Sequence, residues 1–151
     1  MNLIIFGKRS ILTKSLLKYN KDARVISHSD FKKKKFEKQL SKKNEYNVIL
    51  NTFYPSSKLN KIFNYKEFYE SSLIFLSEFL DIIKKYKIKK IIYSSSSSVY
   101  NSLNSSIRPE NDLNRKLYAT CKIAAENMVS NFCRKKNISF INARLFNMYG
   151  E

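Results

Sequence analysis

Glycine and proline are almost missing from this 151-residue chain, with 2 of each, and tryptophan is absent. That scarcity excludes collagen-like, mucin-like and glycine/serine-linker sequences. Cysteine is limited to Cys121 and Cys133. Two cysteines frame neither a disulfide scaffold nor a zinc site, so no metal is expected and a reducing, cytoplasmic setting is. No apolar run approaches the roughly 20 residues that a membrane-spanning helix needs, so no membrane partner is expected. The opening MNLIIFGKRS has a short apolar stretch followed by charge, which does not read as a signal peptide. Acidic residues are also scarce, 12 against 29 Lys and Arg, leaving a formal charge of +17.

That charge is compatible with a nucleic-acid or anionic-surface binder. However, Lys, Asn, Ile, Phe and Tyr are all abundant while Gly, Ala and Pro are low, a bias that an A- and T-rich coding sequence produces by itself. The lysines are scattered over positions expected to face solvent. No helix-turn-helix, zinc finger or RNA-binding aromatic motif accompanies them, so nucleic acid is not the expected partner. A phosphorylated small molecule fits the charge better.

What is present is a regular alternation. Five short apolar runs read as buried strands: Leu3–Phe6, Arg24–Ser27, Asn47–Asn51, Lys90–Ser94 and Ser139–Leu145. Their near-continuous apolarity suits parallel strands covered on both faces. Helical spacing marks Ser10–Tyr19, Tyr65–Tyr86 and Arg115–Lys135, with Phe31–Lys43 a weaker, Lys-rich candidate. Ser102–Asn114 reads as a long loop. Strand and helix in alternation predict an α/β, doubly wound parallel sheet of the Rossmann type. Ligands bind such sheets beyond the carboxyl ends of the strands.

The first strand runs into Gly7-Lys8-Arg9-Ser10-Ile11-Leu12-Thr13. A dinucleotide turn uses glycines to let the backbone approach a pyrophosphate at a helix N-terminus. Only Gly7 is glycine; Ser10 and Thr13 occupy the other two spacings, and Ser10 is a candidate helix cap. An ordinary strand-to-helix turn explains these residues equally well. After the second strand, Asp30 falls about two residues too late to reach a ribose, and His28 stands nearest the expected place. The missing acid, with Lys8 and Arg9 beside the turn, leans toward NADP over NAD.

The serine run Ser94–Ser98 ends a strand, and Tyr118 and Lys122 follow at i and i+4 on a helix. A free phenol titrates near pH 10 and is a poor base at neutral pH. An ammonium about 4 Å away contributes roughly 4 kcal/mol at an effective dielectric of 20, enough to lower that value by about three units. Chance also produces Tyr-x-x-x-Lys in a chain this rich in both residues. Its placement after a strand that ends in serines gives it weight.

In these segments, MNLIIFGKRSILT, NVILNTFYP, KKIIYSSSSSVY, YATCK followed by AAE, and RLFNMYG, the chain resembles the extended short-chain dehydrogenases/reductases. These form the NAD-dependent epimerase/dehydratase family, whose members modify nucleotide sugars. The resemblance spans all 151 residues and implies a nucleotide-sugar substrate, NAD or NADP as cofactor, and an epimerase or 4-ketoreductase reaction; it allows a homodimer. It implies that Tyr118 is the catalytic acid/base, Lys122 its helper and a ribose ligand, and Ser96 the catalytic hydroxyl. Gly7, Lys8, Arg9, Ser10, Ile11 and Leu12 then form the cofactor turn. His28, Asn51, Thr52 and Phe53 flank the cofactor, and Ser97 and Asn147 face the sugar nucleotide.

Three departures stand out. Family members usually carry Asn where Ser72 stands, two glycines of the turn are lost, and Ser97 and Ser98 replace the Asp–Glu pair of the dehydratases. Dehydration therefore lacks its acid. Relatives are about twice as long, so residues 1–151 read as a dinucleotide-binding domain whose C-terminal substrate part is missing. A non-catalytic dinucleotide-binding or remnant domain is the alternative reading.

Overall fold

The computed structural model describes residues 2–32, 36–51, 65–103 and 113–146. Five strands, β1 (Asn2–Phe6), β2 (Arg24–Ile26), β3 (Glu45–Leu50), β4 (Lys87–Ser96) and β5 (Ser139–Leu145), form one sheet. The order is β2-β1-β3-β4-β5 and every pairing is parallel. The helices are α1 (Ile11–Tyr19), α2 (His28–Lys32), α3 (Tyr65–Tyr69), α4 (Phe75–Ile83), α5 (Ser98–Leu103) and α6 (Leu113–Lys136), with a π-helical turn at Glu70–Ile74 between α3 and α4. This is the Rossmann-type α/β fold. The chain winds one way from β1 to β2 and the other way from β3 onward. The switch point therefore lies at the carboxyl ends of β1 and β3, where Gly7 and Asn51 stand.

One face of the sheet carries the main core. Ile4, Phe6, Val48, Leu50, Ile91 and Tyr93 point from β1, β3 and β4 against Phe75, Phe79 and Ile83 of α4 and Ala125, Val129 and Cys133 of α6. Full burial of side chains of this size contributes roughly 1.5–3 kcal/mol each before ordering costs. Among the described residues, no helix is long and apolar enough to cross a membrane.

Several boundaries differ from the sequence expectation. The helix expected over Phe31–Lys43 is the five-residue α2 followed by a separate 3-10 turn at Glu37–Gln39. Phe31 and Phe36 supply its buried contacts, stacked at 5.2 Å, and the polar stretch that follows has no i, i+4 stripe to bury. Strand β2 stops one residue early because Ser27 turns to cap α2. Its Oγ accepts from the Asp30 N–H (3.1 Å), while the Asp30 carboxylate accepts from the Ser27 N–H (3.2 Å). Strand β4 runs on to Ser96 because the serines pair with Ala143, Arg144 and Leu145 of β5. Both ends of the expected loop at 102–114 are helical, in α5 and α6; residues 104–112 lie outside the described set.

Candidate active site

Gly7 leaves β1 with φ +110°, a conformation open to glycine and strained for other residues. A Cβ there would lie 2.0 Å from the Asn51 carbonyl oxygen. The turn is thus held to the end of β3 by a backbone approach that only glycine permits. Asn51 N–H donates to Phe6 C=O (2.9 Å) and Gly7 N–H to Ile26 C=O (3.0 Å). Ser10 is the N-cap of α1, accepting from the Thr13 N–H (3.0 Å). The Ser10 hydroxyl donates to Thr13 Oγ1 (3.0 Å), and the Thr13 hydroxyl to Gly7 C=O (2.6 Å). The two residues that replace glycines therefore stitch the turn together. Lys8, Arg9 and Ile11 are exposed around it, and Leu12 is half-buried.

From this turn a polar chain crosses the sheet. The Asn51 side-chain amide donates to Ser10 Oγ, and its Oδ1 accepts from the Ser94 hydroxyl (3.0 Å), which also lies 3.0 Å from Leu50 C=O. Ser94 C=O in turn accepts from Lys122 Nζ (2.8 Å). Lys122 is 3% exposed, and its Nζ lies 5.0 Å from the Tyr93 ring centroid and 5.7 Å from that of Tyr118. Burial pulls its amine down to about 7, with the Glu126 carboxylate acting in the opposite direction.

Ser96 ends β4 and Tyr118 stands in the second turn of α6, near enough for the Ser96 hydroxyl to act on the phenol. Ser96 Oγ also accepts from the Ser98 hydroxyl (3.0 Å). The structure thus brings Ser96, Tyr118 and Lys122 together at the carboxyl end of β4. The expected electrostatics differ. Burial holds the Tyr118 phenol above its ordinary range, with the nearby Ser96 hydroxyl pulling the other way, so the phenol is not lowered. Lys122 is itself desolvated and aims its amine at a backbone carbonyl.

The remaining candidates are spread around this centre. Ser97 occupies the turn between β4 and α5, its N–H donating to Leu145 C=O (2.9 Å). His28 opens α2 and its ring lies on Phe75, centroids 3.8 Å apart. Thr52, Phe53 and Asn147 lie outside the described residues. Ser72 is buried in the π-helical turn and donates to Phe68 C=O (2.5 Å). Sequence reasoning missed Ser94, the junction of the polar chain, and the pair Glu126–Arg144. Arg144 Nε and Nη2 meet the two Glu126 carboxylate oxygens at 3.0 and 2.8 Å. The spacing Lys122-x-x-x-Glu126 was the available signal, because i and i+4 share a helix face.

The buried amine has a consequence for stability. Unfolded, Lys122 keeps its proton to about pH 10.5; folded, it gives it up near 7. The unfolded chain then binds more protons through that window, so stability rises with pH there, by at most ~1.4 kcal/mol per unit. Cys121 and Cys133, pushed by burial from 9.0 to about 11, keep their protons longer when folded and reverse the trend above about pH 9. Urea unfolding should therefore show the chain about 1–2 kcal/mol more stable at pH 9 than at pH 7. Lys122→Met should remove most of that rise; a rise of equal size in the variant contradicts the assignment.

Residues 10–151 match the sequence profile of the NAD dependent epimerase/dehydratase family. No curated protein sequence matches the chain. Among solved structures, it is similar to the UDP-N-acetylglucosamine 4-epimerase from Methanobrevibacter ruminantium M1 (TM-score 0.73, 17% identity, covering 99% of this chain and 56% of that one). It is also similar to a UDP-glucuronic acid 4-epimerase from Bacillus cereus, solved with UDP-glucuronic acid and NAD (TM-score 0.65, 17% identity, 99% and 58%). A third is the GDP-mannoheptose C4 reductase from Campylobacter jejuni with NADP bound (TM-score 0.68, 14% identity, 99% and 48%). At these identities the likeness establishes the fold, and the chain spans about half the length of the structures it matches.

Proposed function

We propose, from the premise that this chain belongs to the NAD dependent epimerase/dehydratase family, that it binds NAD or NADP and serves hydride transfer at a carbinol carbon of a nucleotide sugar. Residues 1–151 are then the dinucleotide-binding part, and epimerase or 4-ketoreductase chemistry is the reaction class. The observation that carries this reading is the placing of buried Lys122 beside the Tyr118 ring, 5.7 Å from its centroid, with a polar chain joining that centre to the Gly7 turn.

The residues present fit the dinucleotide. Gly7 provides the close backbone approach, the N-terminus of α1 presents N–H groups, and Lys8 and Arg9 add positive charge. Asp30 is engaged in capping α2, which leaves the β2 end without a carboxylate for a ribose and favours NADP. When bound, the dinucleotide supplies the hydride donor or acceptor. Tyr118 donates its phenolic proton to a sugar ketone oxygen in reduction, or accepts a hydroxyl proton at the same atom in oxidation. Its raised phenol is protonated at neutral pH and suits the reductive direction. Ser96 orients the sugar oxygen, and Lys122 supplies a cation beside Tyr118 and a donor to the nicotinamide ribose.

A second reading, a non-catalytic dinucleotide-binding domain, draws on Ser10 and Thr13, whose hydroxyls are committed to each other, to Gly7 and to Asn51. Calorimetric titration tests the binding step common to both. The chain should bind NADP saturably at micromolar concentrations and NAD more weakly. No binding of either at millimolar concentration overturns the proposal. Binding with no hydride transfer to any nucleotide 4-ketosugar favours the second reading.

A further inference from the structure

Behind Lys122 lies an ion pair that the proposed reaction does not use. Glu126 is 5% exposed on α6, one turn beyond Lys122, and its carboxylate receives both forks of Arg144 from β5. Burial opposes ionisation of Glu126, yet the hydrogen bonds and charge of Arg144 hold it below the usual carboxylate range. Arg144 is fixed on its far side by the Tyr100 ring of α5, 4.6 Å from its guanidinium carbon. A buried carboxylate gripped bidentately by Arg144 is held on the helix face it shares with Lys122.

We propose that Glu126, clamped by Arg144, is a positioning residue for Lys122: its fixed negative charge keeps the buried amine an ammonium, aimed at Ser94 C=O and ready for the ribose. This deepens the functional reading above and rests on it. Among the described residues, the titratable and charged groups around Lys122 are few. Tyr118, Cys121 and Glu126 share its helix, Tyr93 faces it from β4, and Arg144 stands behind Glu126 on β5. Glu70 on the π-helical turn is exposed and pairs with Lys66 at 3.8 Å. Glu126 is therefore the anion placed to offset the desolvation of the amine. If the pair served packing alone, neutralising Glu126 would admit water and raise the Lys122 proton affinity toward that of an exposed lysine. A charge role demands the opposite shift.

The test is an NMR titration of Lys122 in chain labelled with 13C at lysine, assigned by the signal missing in Lys122→Arg. Glu126→Gln keeps the shape of the side chain and some of its hydrogen bonds to Arg144. It should lower the Lys122 midpoint by about one pH unit, cutting the ammonium fraction at pH 7 from about half to about a tenth. NADP affinity at pH 7 should fall several-fold and recover as pH is lowered. Arg144→Gln, which frees the Glu126 charge from its partner, should move the midpoint up, and it serves where Glu126→Gln does not fold. A midpoint that stays or rises in Glu126→Gln, or stays or falls in Arg144→Gln, overturns the proposal. The titration needs no dinucleotide. An unmoved Lys122 in a chain that binds NADP thus removes the Glu126 role alone, whereas a parent chain that binds no NADP removes the functional reading.

Discussion

Tyr118→Phe should slow hydride transfer about 10²- to 10⁴-fold, the usual contribution of a positioned acid/base, while dinucleotide affinity stays within about twofold. The phenol oxygen is the only atom lost. The ring packs against the small cluster of Phe68 and Cys121, which phenylalanine preserves. Loss of the hydroxyl costs about 1 kcal/mol of stability, too little to unfold the domain. The measurement is oxidation of NADPH with a nucleotide 4-ketosugar, run beside a binding titration of the same sample. Turnover equal to the parent's removes Tyr118 from the chemistry, and lost binding shows that the phenol serves the cofactor rather than the proton.

Gly7→Ala is the second large effect, and it acts through the backbone. The new methyl would meet the Asn51 carbonyl oxygen at 2.0 Å, and a φ of +110° is strained for any residue with a Cβ. Backbone on both sides must shift. The shift would break the Asn51 N–H to Phe6 C=O bond and disturb the contacts of Asn51 with Ser10 and Ser94. A loss of about 3 kcal/mol follows, and a fall in melting temperature of roughly 6–12 °C for a domain of this size. NADP binding should be lost at temperatures where the variant is still folded. Thermal melts and calorimetry read both. A variant that melts with the parent means the turn does not have this conformation.

The strands were legible because each is a short apolar run, and β1, β3 and β5 stand close to their expected bounds. Strand β4 was read too short because serine is a poor strand former, and pairing with β5 outweighs its propensity. The Lys-rich segment after Phe31 failed as a long helix because composition supplied good helix formers without an apolar face. The π-helical turn at Glu70–Ile74 left no trace in the periodicity, since one extra residue per turn hides inside a continuous apolar stripe.

Within the site, Gly7, Ser10, Tyr118 and Lys122 drew notice from motif spacing, and Asn51 and Ser96 from the family resemblance. Spacing does not report desolvation, so the depressed Lys122 amine and the raised Tyr118 phenol were invisible, and the expected lowering of the phenol was wrong in sign. Glu126 stood at a readable i, i+4 spacing from Lys122, but its pairing with Arg144, 18 residues away on another element, leaves no local pattern.

The central claim is that a nicotinamide ring docks against Tyr118 and Lys122 while its pyrophosphate rests on the Gly7 turn. A crystal structure of the chain with NADP tests it most directly. The account predicts the pyrophosphate at the N–H groups of α1, the nicotinamide ribose within hydrogen-bond reach of Lys122 Nζ, and the reactive ring carbon facing the Tyr118 hydroxyl across the space left for a sugar oxygen. A dinucleotide bound away from the carboxyl ends of β1, β3 and β4, or one whose nicotinamide turns its back on Tyr118, would contradict it.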